Sequence, residues 1–204
     1  MNLQNYYYYF QSVLTPKFCD DIIKHAKLKE EKLGLVGNLS KNESNKKNLK
    51  KIRNSNVVWL DDQWIYKEIQ PYIHAANKSA GWNFDWDWSE SCQFTKYKKN
   101  QFYQWHCDDH TSPYNNPNNL NVHNKIRKLS VTCSLSDSKD YKGGELEFDF
   151  RNSGNGKPVI KKCKEILPRG SIVVFPSFVW HRVKPVTKGV RYSLVMWNIG
   201  YPFK

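Results

Sequence analysis

The chain has 204 residues, 39% hydrophobic and 25% charged, with a formal net charge of +13. That length accommodates one domain with appendages and burial of roughly 70% of the unfolded surface, so neither disulfides nor structural metals are needed as staples. No apolar run approaches the ~20 residues of a membrane span, and the opening Met1-Asn2-Leu3-Gln4-Asn5-Tyr6 lacks the basic start and apolar stretch of a secretory signal. No membrane partner and a cytoplasmic location are therefore expected.

Of the 32 basic residues, 26 are Lys and 6 are Arg, beside 20 Asn. Arg is the residue suited to forked contacts with phosphate and guanine, so this balance makes nucleic acid a weaker reading than Lys-rich solvation. Five cysteines (Cys19, Cys92, Cys107, Cys133, Cys163) are an odd number. They are widely spaced and contain no Cys-x-x-Cys pair, which indicates reduced thiols and neither a disulfide framework nor a zinc ribbon.

In chain order, Tyr6 to Phe10 reads as an extended opening segment. Thr15-Pro16 gives an N-cap and a first helical position, and Phe18, Ile22 and Ala26 share one helical face. Asn38 to Asn54, with six basic residues and one acid, reads as a solvated basic loop. A strand over Asn56–Leu60 leads to a second helix capped by Asp61 or Asp62, with Ile65, Ile69 and Ile73 on its buried face. Gly81 ends this helix, and Pro71 is expected to bend or divide it.

Beyond Trp86 the pattern becomes one of strands: Cys92–Lys98, Gln101–Asp108, Lys128–Leu135, Glu145–Phe150, Ser171–Phe175, His181–Val186 and Val190–Asn198. Gly143-Gly144, residues 152–156 and Pro168-Arg169-Gly170 punctuate them. Many short strands with no helical period between them predict a mainly β (α+β) fold, a jelly roll supported by N-terminal helices. Residues 1–88 then form the helical support and 89–204 the jelly-roll core of a single domain. The Asn/Pro-rich stretch 111–124 reads as a long loop near the mouth of the site.

Chemistry concentrates at Trp105-His106-Cys107-Asp108. Residues i and i+2 of a strand share a face, so His106 and Asp108 present an imidazole and a carboxylate together, while Cys107 and Asp109 turn away. His181 is a second imidazole at the start of a later strand. Two histidines and a carboxylate make the facial set of non-haem iron(II) sites, which leaves three coordination positions open. Arg191 stands among Val190, Leu194, Val195, Met196 and Trp197, where an unpartnered guanidinium is costly, so an anion should meet it; Ser193 shares its face. His25, His74, His110 and His123 read as structural or surface histidines. Trp82, Trp86, Trp88, Trp105, Trp180 and Trp197 read mainly as core filling, with an aromatic groove for a proline-rich peptide as the alternative.

Together these motifs resemble the iron(II)- and 2-oxoglutarate-dependent dioxygenases, in particular the prolyl-4-hydroxylase-like branch. Residues 97–108 are similar to its Tyr-x-x-Gly-Gln-x-Tyr-x-x-His-x-Asp strand pair, with Asn100 where Gly is usual. Tyr141 to Phe148 resembles its Gly-Gly-Glu-Leu turn and strand. Gly170 to Ser177, His181 to Val186 and Gly189 to Leu194 follow its closing motifs in order, and Arg53-Asn54-Ser55 is similar to its front part.

The resemblance implies a double-stranded β-helix with His106, Asp108 and His181 as iron ligands. It also implies Arg191 on the distal carboxylate of 2-oxoglutarate, Ser193 and Tyr97 as further co-substrate contacts, and Tyr103 facing the same cavity. Iron(II), 2-oxoglutarate and dioxygen are the implied cofactor and co-substrates, with ascorbate as an optional reductant. The implied reaction is hydroxylation of an unactivated carbon, foremost a prolyl residue of a peptide or protein, with release of succinate and CO2. A free amino acid or small metabolite, a nucleic acid substrate, and a catalytically inert jelly-roll binding module are the alternatives.

Overall fold

The computed structural model describes residues 3, 5–34, 50–109, 112–150 and 158–203. Helix α1 spans Pro16–Lys27 and α2 spans Gln63–Ser79. Early strands are β1 (Tyr8–Phe10), β2 (Lys32–Leu33), β3 (Arg53–Asn54), β4 (Asn56–Leu60) and β5 (Trp88–Ser89). Next come β6 (Cys92–Tyr97), β7 (Phe102–His106), β8 (Ile126–Ser134), β9 (Tyr141–Gly143) and β10 (Leu146–Asp149). The last are β11 (Ile160–Lys162), β12 (Ile172–Pro176), β13 (Trp180–Val183), β14 (Val186–Gly189) and β15 (Arg191–Gly200).

The larger sheet runs β1-β12-β8-β15-β6-β4-β2, with β5 added to β15; the smaller runs β11-β10-β13-β7-β3, and β9 pairs with β14. Every pairing in these sheets is antiparallel. The jelly roll expected from the spacing of short strands is thus present. The first 88 residues are more than helical support, however: β1 to β4 and the first residue of β5 lie in them, so the boundary at 88/89 is not a seam in the sheets.

Thr15 caps α1 by accepting a hydrogen bond from the Phe18 amide at 3.1 Å, with Pro16 at the first helical position. Its buried face is Cys19, Ile22 and Ala26; Phe18 sits at the edge, edge-on to Trp64. α2 buries Ile65, Ile69 and Ile73 as the four-residue spacing predicts, and also Tyr66 and Ala76. Of the two outcomes expected at Pro71, division does not occur: the helix is continuous through that residue. Pro71 and Lys67 both lie on the exposed side of the helix. Gly81, at φ +73°, turns the chain out.

The helices cover the outer face of the larger sheet. Leu129, Val131 and Cys133 of β8, Ile172 and Val174 of β12, and Leu194 and Met196 of β15 pack with α1 and α2 in one cluster. Between the sheets lies a second cluster with Val173 and Phe175 of β12, Phe148 of β10 and Val183 of β13. β12 therefore buries both faces, which explains its uninterrupted apolar run. At the other end of the sandwich the inner face is polar: Gln93, Thr95, Ser130, Thr132, Arg191 and Ser193 are all buried there.

The basic segment 38–54 needs partial correction. Residues 38–49 lie outside the described residues, but residues 50–52 are helical. Arg53 is a buried residue of β3, paired with β7.

Candidate active site

His106 and His181 are direct partners across adjacent strands β7 and β13. Asp108 lies just past the end of β7, where its amide donates to the Ser177 carbonyl at 2.8 Å and fixes the turn. The three side chains converge: His106 Nε2 is 3.7 Å from Asp108 Oδ1, and His181 Nε2 is 3.6 Å from Asp108 Oδ2.

The imidazoles are oriented by their other nitrogens. His106 Nδ1 donates to the Gln104 carbonyl at 2.8 Å, and His181 Nδ1 to the Val179 carbonyl at 3.0 Å. A carbonyl only accepts, so both protons sit on Nδ1 and both Nε2 lone pairs point inward. Asp108 Oδ2 accepts from Ser130 Oγ at 2.7 Å, and Ser130 Oγ lies 3.0 Å from Ser177 Oγ.

Burial, helped by His181, holds the His106 pKa down at about 3, so this imidazole is neutral. For Asp108 burial acts upward, but His181, His106 and Arg127 outweigh it and bring the carboxyl to about 2. Inward lone pairs and an ionised carboxylate, with all ligand atoms within 4.8 Å of one another, fit a divalent ion that takes nitrogen and oxygen donors. This is the one such group among the described residues. Cys107 is not in it; burial and Asp109 push its thiol up to about 12, so it stays protonated.

All of the residues singled out from the sequence, His106, Asp108, His181, Arg191, Ser193, Tyr97 and Tyr103, line one cavity. Arg191 is 3% exposed; Nη1 donates to Ser193 Oγ at 3.2 Å, and the guanidinium lies 5.5 Å from the Tyr97 ring centroid. No carboxylate of the described residues is in ion-pair reach of it. A buried guanidinium held by a serine hydroxyl and an aromatic face, with no carboxylate near it among the described residues, is suited to receive an anion.

The Gly143-Gly144 turn is what lets the guanidinium stem lie there. Both residues have positive φ, and a Cβ on Gly144 would stand 3.0 Å from Arg191 Cδ and 2.9 Å from Val186 Cγ2. Asn100, the departure from the expected Gly, takes φ +65° in the β6–β7 turn; Asn tolerates that conformation better than other non-glycine residues.

Arg53 is the site residue that sequence reasoning missed. Its guanidinium lies 4.6 Å from the Tyr103 ring centroid, and Tyr103 stacks on His106 at 3.5 Å and 15°. Nε donates to Ser55 Oγ at 3.0 Å, and a Cβ on Gly34 would collide with both Ser55 Oγ and Arg53 Nε. The available signal was the sole Arg of a Lys-rich run, directly before an apolar strand.

Other predicted outliers stay outside the cavity. His25 Nε2 pairs with Asp62 at 2.8 Å, His74 stacks on Trp86, and His123 accepts from the Asn116 amide. His110 lies outside the described residues. Trp82 is a buried member of the helix-side core, whereas Trp59 and Trp88 are each 43% exposed.

A family model described as the 2OG-Fe(II) oxygenase superfamily matches residues 92–198, just over half of the chain. The chain belongs to this family. Iron(II), 2-oxoglutarate and dioxygen are the cofactor and co-substrates that come with it. A PKHD-type hydroxylase of Synechococcus sp. (strain JA-2-3B'a(2-13)) is 39% identical over 79 residues, covering 38% of this chain and 32% of the relative. The PKHD-type hydroxylase YbiX of Escherichia coli O6:K15:H31 (strain 536 / UPEC) is 36% identical over 104 residues, covering 51% and 40%. The chain thus spans about a third to two fifths of the length of these curated relatives.

Among solved structures, a Pseudomonas putida prolyl-4-hydroxylase superposes with a TM-score of 0.65 at 20% identity, over 96% of this chain and 93% of that one. A viral collagen prolyl hydroxylase from Paramecium bursaria Chlorella virus-1 does so with a TM-score of 0.64 at 19% identity, over 97% of both. These likenesses show the jelly-roll fold. Among the described residues no helix is long and apolar enough to cross a membrane.

Proposed function

We propose that this chain is an iron(II)- and 2-oxoglutarate-dependent dioxygenase that hydroxylates an unactivated carbon, with a prolyl residue of a peptide or protein as substrate. One observation carries the reading. Two imidazoles and a carboxylate converge in the same cavity as a buried guanidinium that has no carboxylate partner among the described residues.

In this reading His106, Asp108 and His181 hold the metal. Their Nε2 and carboxylate atoms would supply three of the metal's ligands. When bound, iron(II) with 2-oxoglutarate and dioxygen supplies the oxidising power to hydroxylate a C–H bond while the co-substrate leaves as succinate and CO2.

The protein's own work is positional. Gln104 and Val179 carbonyls keep the protons on Nδ1; Ser130 keeps Asp108 from rotating. Arg191 and Ser193 take the distal carboxylate of 2-oxoglutarate, and Tyr97 closes the wall beside them. Tyr103, held between Arg53 and His106, keeps that imidazole in its plane. The prolyl assignment is supported by the names of the similar proteins, which are PKHD-type and prolyl hydroxylases.

Succinate release from 2-oxoglutarate, measured with peptide, metabolite and oligonucleotide pools, tests the reading. Stimulation by proline-containing peptides, with a +16 mass shift on proline, is expected. Stimulation only by metabolites or oligonucleotides would overturn the substrate class, and no succinate with any pool would overturn the activity.

A further inference from the structure

Resting on the metal-site reading above, we propose that Arg127, clamped by Glu90, is a positioning residue that ties the loop bearing Tyr114 to Asp108. Arg127 Nε and Nη2 donate to Glu90 Oε1 and Oε2 at 2.8 and 2.6 Å, a forked pair that fixes the guanidinium plane. With that plane fixed, Nη1 reaches the Asp108 carbonyl at 3.4 Å. The opposite contact is a stack, 3.9 Å from the centroid of Trp197.

Trp197 walls the metal cavity, and its indole N–H is one of the groups that hold the Asp108 carboxyl low. One side chain thus touches the backbone of a proposed ligand and the indole beside it. The other end of the link is Tyr114, whose hydroxyl donates to the same Glu90 Oε1 at 2.7 Å. Tyr114 opens a loop closed on itself, since its amide donates to the Lys125 carbonyl at 3.0 Å and the Asn124 amide donates to its carbonyl at 2.9 Å.

Stability alone does not call for this arrangement. A largely buried ion pair is often no more stabilising than apolar residues of equal volume. What the pair supplies is a fixed direction: Tyr114 sets Glu90, Glu90 sets Arg127, and Arg127 holds Asp108 and Trp197. A displacement of the loop is therefore transmitted to the metal site through Glu90 and Arg127.

The test uses the full metal-free chain titrated with Co(II) alone, followed by visible absorption. Arg127→Gln and Glu90→Gln should each weaken Co(II) binding tenfold or more, the order seen when groups that orient metal ligands are removed, and should shift the ligand-field bands. The double variant should be no weaker than the worse single one, because the two act as a unit. Tyr114→Phe, which removes one hydroxyl and no charge, should weaken binding about twofold.

Wild-type affinity and bands in folded Arg127→Gln would overturn the proposal. Should that variant not fold, wild-type affinity in Tyr114→Phe would overturn it. Failure of the wild type to bind Co(II), or binding undiminished by His106→Ala, would instead overturn the metal-site reading on which it rests.

Discussion

The two faces of the larger sheet are built from the same strands and do opposite work. On β15, Leu194 and Met196 point to the helices and Arg191 and Ser193 to the cavity, and all are buried. On β8, Leu129 and Val131 join the helix-side core while Ser130 bonds to Asp108. A strand buried on both faces usually reads as a continuous apolar run, and β12 does so because apolar packing lies on either side of it. In β8 and β15, buried on both faces, the alternation puts polar side chains on the cavity side and apolar ones on the helix side.

Substitutions on the two faces should therefore separate function from folding. The largest effect is expected from Asp108→Ala: succinate release should vanish while circular dichroism and thermal unfolding stay those of a folded jelly roll. Next is Leu194→Ala, one residue from Ser193 but on the helix side. It should cost about 2–5 kcal/mol in urea unfolding, with the 2-oxoglutarate requirement of the folded protein unchanged.

Arg191→Met is the converse. Losing the charge-assisted bonds should raise half-saturation by 2-oxoglutarate roughly 100-fold. The unfolding midpoint should hold or rise, because a buried charge without a carboxylate partner has been removed.

A fourth expectation concerns pH. The His106 pKa is lowered from 6.5 to about 3 in the folded protein, so between those values the unfolded chain binds the extra proton. Stability of the metal-free protein should fall as pH drops through that window. Asp108, lowered from 3.8 to about 2, adds a further loss below pH 4. Urea midpoints at pH 7 and 5 should differ in the wild type and differ less in His106→Ala. The smallest effect is that of Asn100→Gly, within about 1 kcal/mol, since easier access to positive φ is offset by a freer unfolded chain.

The residues whose chemistry depends on short-range pattern were legible in the sequence. His106 and Asp108 are two apart on a strand, Arg191 and Ser193 likewise, and glycines mark the turn that accommodates Arg191. β4 follows the apolar run Asn56–Leu60 to the residue, and α2 follows its three isoleucines.

Residues placed by tertiary pairing were not legible. β3 is only two residues long and owes its existence to β7, so Arg53-Asn54-Ser55 was matched to the family's front part without Arg53 being placed in the site. β2 is equally short and was missed, whereas the three residues of β1 fall within the extended opening segment read at Tyr6 to Phe10. Arg127 and Glu90 lie 37 residues apart, and no local period announces their pairing.

On the function proposed above, three side chains and one guanidinium form a single receptor for a metal and a diacid. Anaerobic addition of iron(II) and 2-oxoglutarate to the purified chain, followed by visible absorption, tests it most directly. A weak charge-transfer band should grow to saturation at one equivalent of iron, disappear in Asp108→Ala, and demand far more 2-oxoglutarate in Arg191→Met. A wild-type protein without that band, or an Asp108→Ala variant that keeps it, would contradict the account.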